Sequence, residues 1–353
     1  MKKNICMIGP NINLNGGIAT VIKQYMNSDI RNKYNLIAVS SYGNRRIKEF
    51  IKGIYKYKKF LSEGKVDLVH IHTASRGSFY RKSLFIDITP KNIPIVLHIH
   101  GGGFIEFYDK SPFFIQTRIK KIMKRAFKIV VLSKNFKMDL INRFNLEKDK
   151  ICIIYNGINI NEKHIDFHNK KLQILYMGKL NESKGIYDLL KIIPNIYSKY
   201  PKVKFIIAGN GEIDRVKHIV RVTNIEKCTH IVGWIDGKIK DKYLHESSIL
   251  VMPSHFEAFG ISIIEAMKCG LAIVANEVGG IPDIINHDVN GKLVQSGNLK
   301  QLEEALGEYI KNEKLTKKIG LMNSEMVKKF DITNSIRQIQ EIYEELLTEE
   351  SYL

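Results

Sequence analysis

No stretch of this 353-residue chain approaches the roughly 18 uninterrupted apolar residues that a membrane-spanning helix requires, which excludes a bundle of spanning helices. Its first residues, Met1-Lys2-Lys3 followed by Ile5-Cys6-Met7-Ile8, lack the apolar core and small-residue cleavage site of a secretory signal, so the expected location is cytoplasmic. Only four cysteines occur, Cys6, Cys152, Cys228 and Cys269, none of them in a C-x-x-C pair or beside a histidine at metal-ligand spacing. A disulfide framework and a zinc finger are thereby excluded, and the thiols read as reduced core residues. There is no D-x-D motif that would hold a divalent cation on a diphosphate. The G-x-G-x-x-G fingerprint of nicotinamide enzymes is missing from the loop after the first apolar run. No repeat of 20 to 50 residues and no low-complexity tract interrupts the pattern.

What is present has the size of two ordinary domains, with 44% hydrophobic and 26% charged residues. The net charge of +19 is unevenly spread. Residues 1–165 hold 30 Lys and Arg against 11 Asp and Glu, whereas residues 166–353 hold 25 of each. A compositional drift toward lysine would have loaded both halves alike. The asymmetry instead points to a surface for an anionic partner: a phospholipid leaflet, a lipid diphosphate or nucleic acid.

Short apolar runs alternate with helical periodicity along almost the whole chain, the pattern of parallel sheets covered by helices. Ile5–Ile8, Leu36–Val39, Leu68–Ile71, Ile95–Ile99, Ile129–Leu132 and Ile151–Ile154 predict one sheet. Leu172–Met177, Val203–Ala208, His230–Val232, Ile249–Met252 and Ala272–Ala275 predict a second. The expected domains are 1–165, joined by a closing helix within 332–353, and 166–331.

Ligands of open parallel sheets bind beyond the carboxyl ends of the strands, so the loops after the apolar runs carry the candidates. Gly16 and Gly17 open a helix, where bare backbone and free amides suit a phosphate. Lys179 and Lys184, five apart at another strand-to-helix junction, can both reach a diphosphate. The most specific stretch runs from Pro253 to Gly270. Glu257 lies in its loop, Phe259-Gly260-Ile261 opens a helix whose amides suit a developing anion, and Glu265 follows one turn inside. Gly279-Gly280-Ile281-Pro282-Asp283 repeats the theme of glycines after a strand. His100 follows the run Ile95–Ile99 and precedes three glycines, with His98 on the same face by strand alternation. A hydrogen-bonded structural histidine is the plainer account of either ring.

Taken in order, Gly16-Gly17-Ile18, His100-Gly101, Tyr155-Asn156-Gly157, Gly178 to Gly185, Gly209-Asn210-Gly211, Glu257 to Gly270 and Gly279 to Asp283 resemble a family 4 retaining glycosyltransferase of GT-B architecture over nearly the full length. The stretch E-A-F-G-x-S-x-x-E-A-M, with seven residues between its two glutamates, is the most specific part of the likeness. The resemblance implies two Rossmann-like domains facing across a cleft, the first binding the acceptor and the second the nucleotide sugar, with the last helix crossing back to the first. It implies Glu257 at donor-sugar hydroxyls and Glu265 at ribose hydroxyls, with backbone groups of Phe259, Gly260 and Ile261 at sugar and phosphate. Lys179 and Lys184 would hold the diphosphate, Gly16 and Gly17 would approach it, and His100 would border the sugar. Where the family usually has arginine, this chain has Lys179, a point charge in place of a planar fork.

The expected chemistry is transfer of a hexose or N-acetylhexosamine from a nucleotide diphosphate sugar, UDP-sugar foremost, to a saccharide or lipid-linked saccharide in cell-surface polysaccharide synthesis. No cofactor or metal is expected, because lysines and amides replace a cation on the leaving group. Glu257, His100 and Lys184 are the expected catalytic residues. Two basic amphipathic segments, Arg45–Lys59 and Phe113–Lys128, could rest on an anionic inner membrane face or simply pack on their own sheet. A nucleotide-sugar epimerase and a catalytically silent partner subunit are the rival readings. Nucleic acid is not expected, since no recognition helix, finger or stacking motif accompanies the charge.

Overall fold

The computed structural model describes residues 2–14, 16–101, 103–160 and 165–348. Gly102, the middle glycine after His100, lies outside them, as do residues 161–164 near the expected domain boundary and residues 349–353 of the closing segment.

The chain divides into two compact units, Met1–Gly157 with Ile332–Leu353, and Ile158–Asp331. The division falls at Gly157/Ile158, ahead of the boundary at 165 expected from sequence. Gly157 sits where a Cβ would come within 2.5 Å of the Ile332 Cα, so the chain leaves and re-enters the first unit through one tight crossing.

The first unit holds a six-stranded parallel sheet: β1 (Asn4–Pro10), β2 (Asn35–Tyr42), β3 (Leu68–Thr73), β4 (Ile95–Ile99), β5 (Lys128–Val131) and β6 (Ile151–Ile153), in the order β2-β1-β3-β4-β5-β6. Its central strands are buried on both faces, which is why they read as continuous apolar runs instead of alternating ones. One face packs on helices Arg46–Ser62, Gly77–Ile88 and Phe113–Arg125 through Tyr57, Phe79, Phe85, Ile119 and Met123. The other face packs on helix Gly17–Met26 and on the closing helix Ile332–Thr348, through Ile22, Tyr25, Ile339 and Tyr343. The closing helix is further tied by an ion pair from Glu345 to Lys128 at 2.6 Å and another from Glu344 to Lys33.

The second unit repeats the architecture with β7 (Lys171–Met177), β8 (Lys204–Ala208), β9 (Thr229–Gly233), β10 (Ser247–Met252), β11 (Ala272–Asn276) and β12 (Lys292–Val294), all parallel, in the order β12-β11-β10-β7-β8-β9. The sequence predicted only five of these strands. β12 is three residues long, opens on a lysine and pairs only with β11 at the sheet edge, so it carries no apolar signature. Cys6, Cys228 and Cys269 are buried free thiols, and Cys152 is half-buried.

Candidate functional site

The second unit gathers its candidate residues beyond the carboxyl ends of β7 and β10. After β7 the loop from Gly178 is pinned to its neighbour: the Leu180 amide donates to the Asn210 carbonyl at 2.7 Å, and the Glu212 amide donates to the Leu180 carbonyl at 2.8 Å. Asn181 caps the short turn Glu182–Lys184 by accepting from the Lys184 amide at 3.1 Å. The Tyr176 hydroxyl lies 3.0 and 3.2 Å from the carbonyl oxygens of Lys179 and Lys184, so one phenol from within β7 holds both lysine backbones. Lys179 is exposed and Lys184 half-buried.

The loop after β10 is held just as closely. The His255 amide donates to the Ser183 carbonyl at 3.0 Å, while the ring sits 2.8 Å from Ser296 Oγ and 3.1 Å from Asp188 Oδ2. The Gly280 amide donates to the Glu257 carbonyl at 3.3 Å. This approach explains Gly279, whose φ is +55° and whose Cβ, if present, would lie 1.7 Å from that same carbonyl oxygen. Gly260, with φ +109°, then turns the chain into helix Ile261–Lys268, and Ser262 Oγ fastens the helix start to the Met177 carbonyl at 3.3 Å.

Each glutamate of the motif is paired with a lysine. Lys184 Nζ lies 2.7 Å from Glu257 Oε2 and donates also to the Phe256 carbonyl at 3.0 Å; Glu257 Oε1 accepts from the Ala258 amide at 3.1 Å. Lys240 Nζ lies 2.7 Å from Glu265 Oε1. Sequence reasoning missed Lys240, which belongs to helix Gly237–Glu246 and to no motif. It also missed His255, Asp188 and Ser296, whose roles appear only once the loops are folded together. Phe259, expected for its backbone, keeps its ring in the core against Phe330 at 5.6 Å between centroids. The resulting cluster presents two carboxylates, three ammonium groups and the start of a helix at one end of one sheet, an arrangement suited to a polyanion with hydroxyls.

In the first unit, Gly16 and Gly17 begin helix Gly17–Met26, and a Cβ on either would meet no atom within 4 Å. No packing contact requires glycine at either position, although the φ of +158° at Gly16 is one that side-chain-bearing residues rarely adopt. A cavity of about 290 Å³ lies beyond β1 and β2, lined by Gly9, Asn11, Glu49, Lys52 and Lys56 among others.

His100 lies in the same unit and ends a ladder of four imidazoles. His72 and His98 are register partners on β3 and β4, so His70, His72, His98 and His100 project to one face of the sheet. His98 and His100 stack at 4.0 Å between centroids, and His70 and His72 at 4.2 Å. His72 Nδ1 lies 2.9 Å from His100 Nε2, His70 Nε2 3.3 Å from His98 Nδ1, and His70 Nδ1 2.6 Å from the Tyr343 hydroxyl. Sequence alternation found His98 beside His100, but His70 and His72 are visible only through strand pairing.

Burial, with the neighbouring rings and for His72 and His100 also Lys82, holds the whole ladder neutral: His70 and His100 are pushed down to about 3, and His72 and His98 well below the usual range. The Nε2 atoms of His72 and His98 are buried without a partner. A bare acceptor is tolerated in a core better than a bare N–H, so the protons of these two rings sit on Nδ1. His72 then donates to His100 Nε2, which leaves the His100 proton on Nδ1. His70, His72 and His98 bring ring nitrogens within 4.8 Å of one another, and no carboxylate among the described residues belongs to the group. Two of the three rings are already hydrogen-bonded together, which favours a hydrogen-bonded ladder over a cation centre.

Two family models match the chain: "Glycosyltransferase Family 4" over residues 21–162 and "Glycosyl transferases group 1" over residues 158–323. Among curated relatives, an uncharacterized glycosyltransferase of Methanocaldococcus jannaschii is 32% identical over 48% of this chain and 47% of its own length, so the chain spans about half of that relative. The phosphatidyl-myo-inositol mannosyltransferase of Mycolicibacterium smegmatis is 23% identical over 82% of this chain and 74% of its own. Among solved structures, Anabaena HepE in complex with UDP and glucose superposes with a TM-score of 0.76 at 17% identity, covering 97% of this chain and all of that one, a likeness of fold.

Proposed function

Since the chain belongs to the family 4 glycosyltransferases of GT-B architecture, we propose that it transfers a hexose or N-acetylhexosamine from a nucleoside diphosphate sugar to a saccharide or lipid-linked saccharide, with retention of anomeric configuration. The observation that carries this reading is the pair of lysine–glutamate contacts, Lys184 with Glu257 and Lys240 with Glu265, flanking the start of helix Ile261–Lys268. A bound donor exchanges these internal pairs for its own charges and hydroxyls.

Cleavage of the sugar–phosphate bond leaves negative charge on the diphosphate and oxocarbenium character on the sugar. Lys184 and Lys179 face the first, with the amides at the helix start, and each well-placed donor in such a site is worth roughly 2.7 to 4 kcal/mol. Glu257 holds sugar hydroxyls and Glu265 ribose hydroxyls. These positive groups stabilise the leaving diphosphate without calling for a cation. The departing phosphate accepts the proton of the incoming hydroxyl on the face it leaves, which accounts for retention. His100, neutral and carrying its proton on Nδ1, acts as a hydrogen-bond donor to the sugar. Relatives supply the substrate classes: the mycobacterial enzyme is named for a phosphoinositide acceptor, and the Anabaena protein binds UDP and glucose.

The test is a donor screen read by nucleotide release, followed by linkage analysis of the product. Release that depends on an added acceptor supports transfer. A free, altered sugar formed without acceptor would instead identify an epimerase.

A further inference from the structure

The basic segments of the first half have two apolar faces each, and only one of them belongs to the core. On helix Arg46–Ser62, Tyr57 and Gly53 are buried and Phe50 and Ile54 pack against the core, whereas Ile47, Ile51 and Tyr55 stand 76%, 60% and 73% exposed. These three recur at four-residue spacing, so they form one stripe. Helix Phe113–Arg125 does the same, burying Ile119, Ile122 and Met123 while leaving Phe113 and Phe114 83% and 69% exposed at its start.

The two helices lie on the same side of the sheet, with helix Gly77–Ile88 between them. Phe50 meets Phe85 of that middle helix at 6.0 Å between centroids, and Arg118 donates to its Ser83 and Asp87. The middle helix adds Tyr80 and Leu84 to the exposed apolar residues. One outer layer of the first unit therefore presents apolar side chains from three adjacent helices, far more than scattered surface hydrophobics require.

The charges on that layer are predominantly positive. Lys48, Lys52, Lys58 and Lys59 are exposed on the first helix, and Lys120, Lys121 and Lys124 on the third. The acids on these helices are few: Glu49, which lines the cavity beyond β1, and Asp87, neutralised by Arg118. We propose that this three-helix layer docks on an anionic phospholipid bilayer, with the lysines at the headgroups and the apolar stripe within the interface. Apolar contact and charge attraction each bind weakly alone and stably together. Helix Arg46–Ser62 carries the stripe outward and, through Lys52 and Lys56, walls the cavity beyond β1 and β2 on its other flank, so docking sets that cavity beside the lipid surface.

The experiment is sedimentation of the full chain with phosphatidylcholine vesicles, with and without phosphatidylglycerol, at low and high salt. The expected result is pelleting with the anionic vesicles that weakens with salt. Lys48→Ala and Lys120→Ala should each lower partitioning roughly five-fold. The combined variant Ile47→Ser, Ile51→Ser, Phe113→Ser, Phe114→Ser should abolish binding with an unchanged thermal unfolding curve, because all four side chains lie in solvent. Equal pelleting with neutral vesicles, unchanged binding by the combined variant, or a salt-stable dimer of the free protein that this variant dissociates would overturn the proposal. Vesicle binding needs no donor sugar, so its outcome is separate from that of the transfer assay.

Discussion

Lys184 and Glu257 are bound to each other, Nζ to Oε2 at 2.7 Å, although the two lie on different loops and 73 positions apart in the chain. The pair keeps an ammonium and a carboxylate poised at one point without a ligand. Both side chains are partly solvated, so the contact adds little to folding and its value lies in placement.

Replacing Lys184 by methionine should therefore lower kcat/KM for the donor by about 10²–10³ while leaving the melting temperature nearly unchanged. Steady-state kinetics beside a thermal melt checks both halves. A variant that loses stability and keeps turnover would place Lys184 outside the chemistry.

Lys240 holds Glu265 as Lys184 holds Glu257. Lys240→Met should raise KM for the nucleotide sugar several-fold and change kcat less, because a misplaced Glu265 weakens a contact made equally in ground and transition states. Titration with the nucleoside diphosphate alone should show the same loss.

His72 holds His100, so under the proposed function it is a positioning residue. His72→Leu should reduce transfer, whereas His72→Asn, whose side-chain amide can reproduce the Nδ1–H, should restore much of it. Since burial holds His100 down to about 3, the rate between pH 5 and 8 should show no ionisation from this ring.

The ladder also makes stability depend on pH. Histidines whose folded values are depressed bind fewer protons folded than unfolded, so their contribution is complete above about 6.5 and is lost as pH falls from there toward 3. Melting temperature should drop across that window, with a shallower drop in His70→Phe.

Lys82 follows the same linkage at higher pH. Its amine is buried with a hydroxyl partner, Ser78 at 3.0 Å, and burial, with Arg81 nearby, lowers it to about 7. Lys82→Met should stabilise the protein at pH 7, by an amount on the order of 1 kcal/mol, since an apolar side chain of similar length removes the penalty of a buried cation. Chemical denaturation at pH 7 and at pH 9 checks it, with the smaller gain expected at the higher pH.

Most of the architecture could be read from the chain because buried parallel strands write themselves as apolar runs. Ile5–Ile8 and Ile249–Met252 fall inside β1 and β10. β12 was illegible because an edge strand of three residues with one apolar neighbour buries too little to leave a pattern. The glutamates of the second unit stood out by their spacing in one loop and helix. Lys240, His255 and Asp188 did not, since their contacts join elements distant in sequence. His72 was hidden for the same reason: only the register of β3 against β4 places it beside His98 and its ring against His100.

The closing helix, which sets Tyr343 against His70, imposes an order on synthesis. The side of the first sheet that Ile339, Ile342 and Tyr343 cover is lined by residues made well before them, such as Ile5 and Met7. A nascent chain carrying only residues 1–157 has helix Gly17–Met26 on that apolar side but lacks the closing helix, and everything in 158–331 must emerge from the ribosome before the rest of the cover arrives. The second unit can complete its own core first, and the first becomes whole only once helix Ile332–Thr348 has followed it.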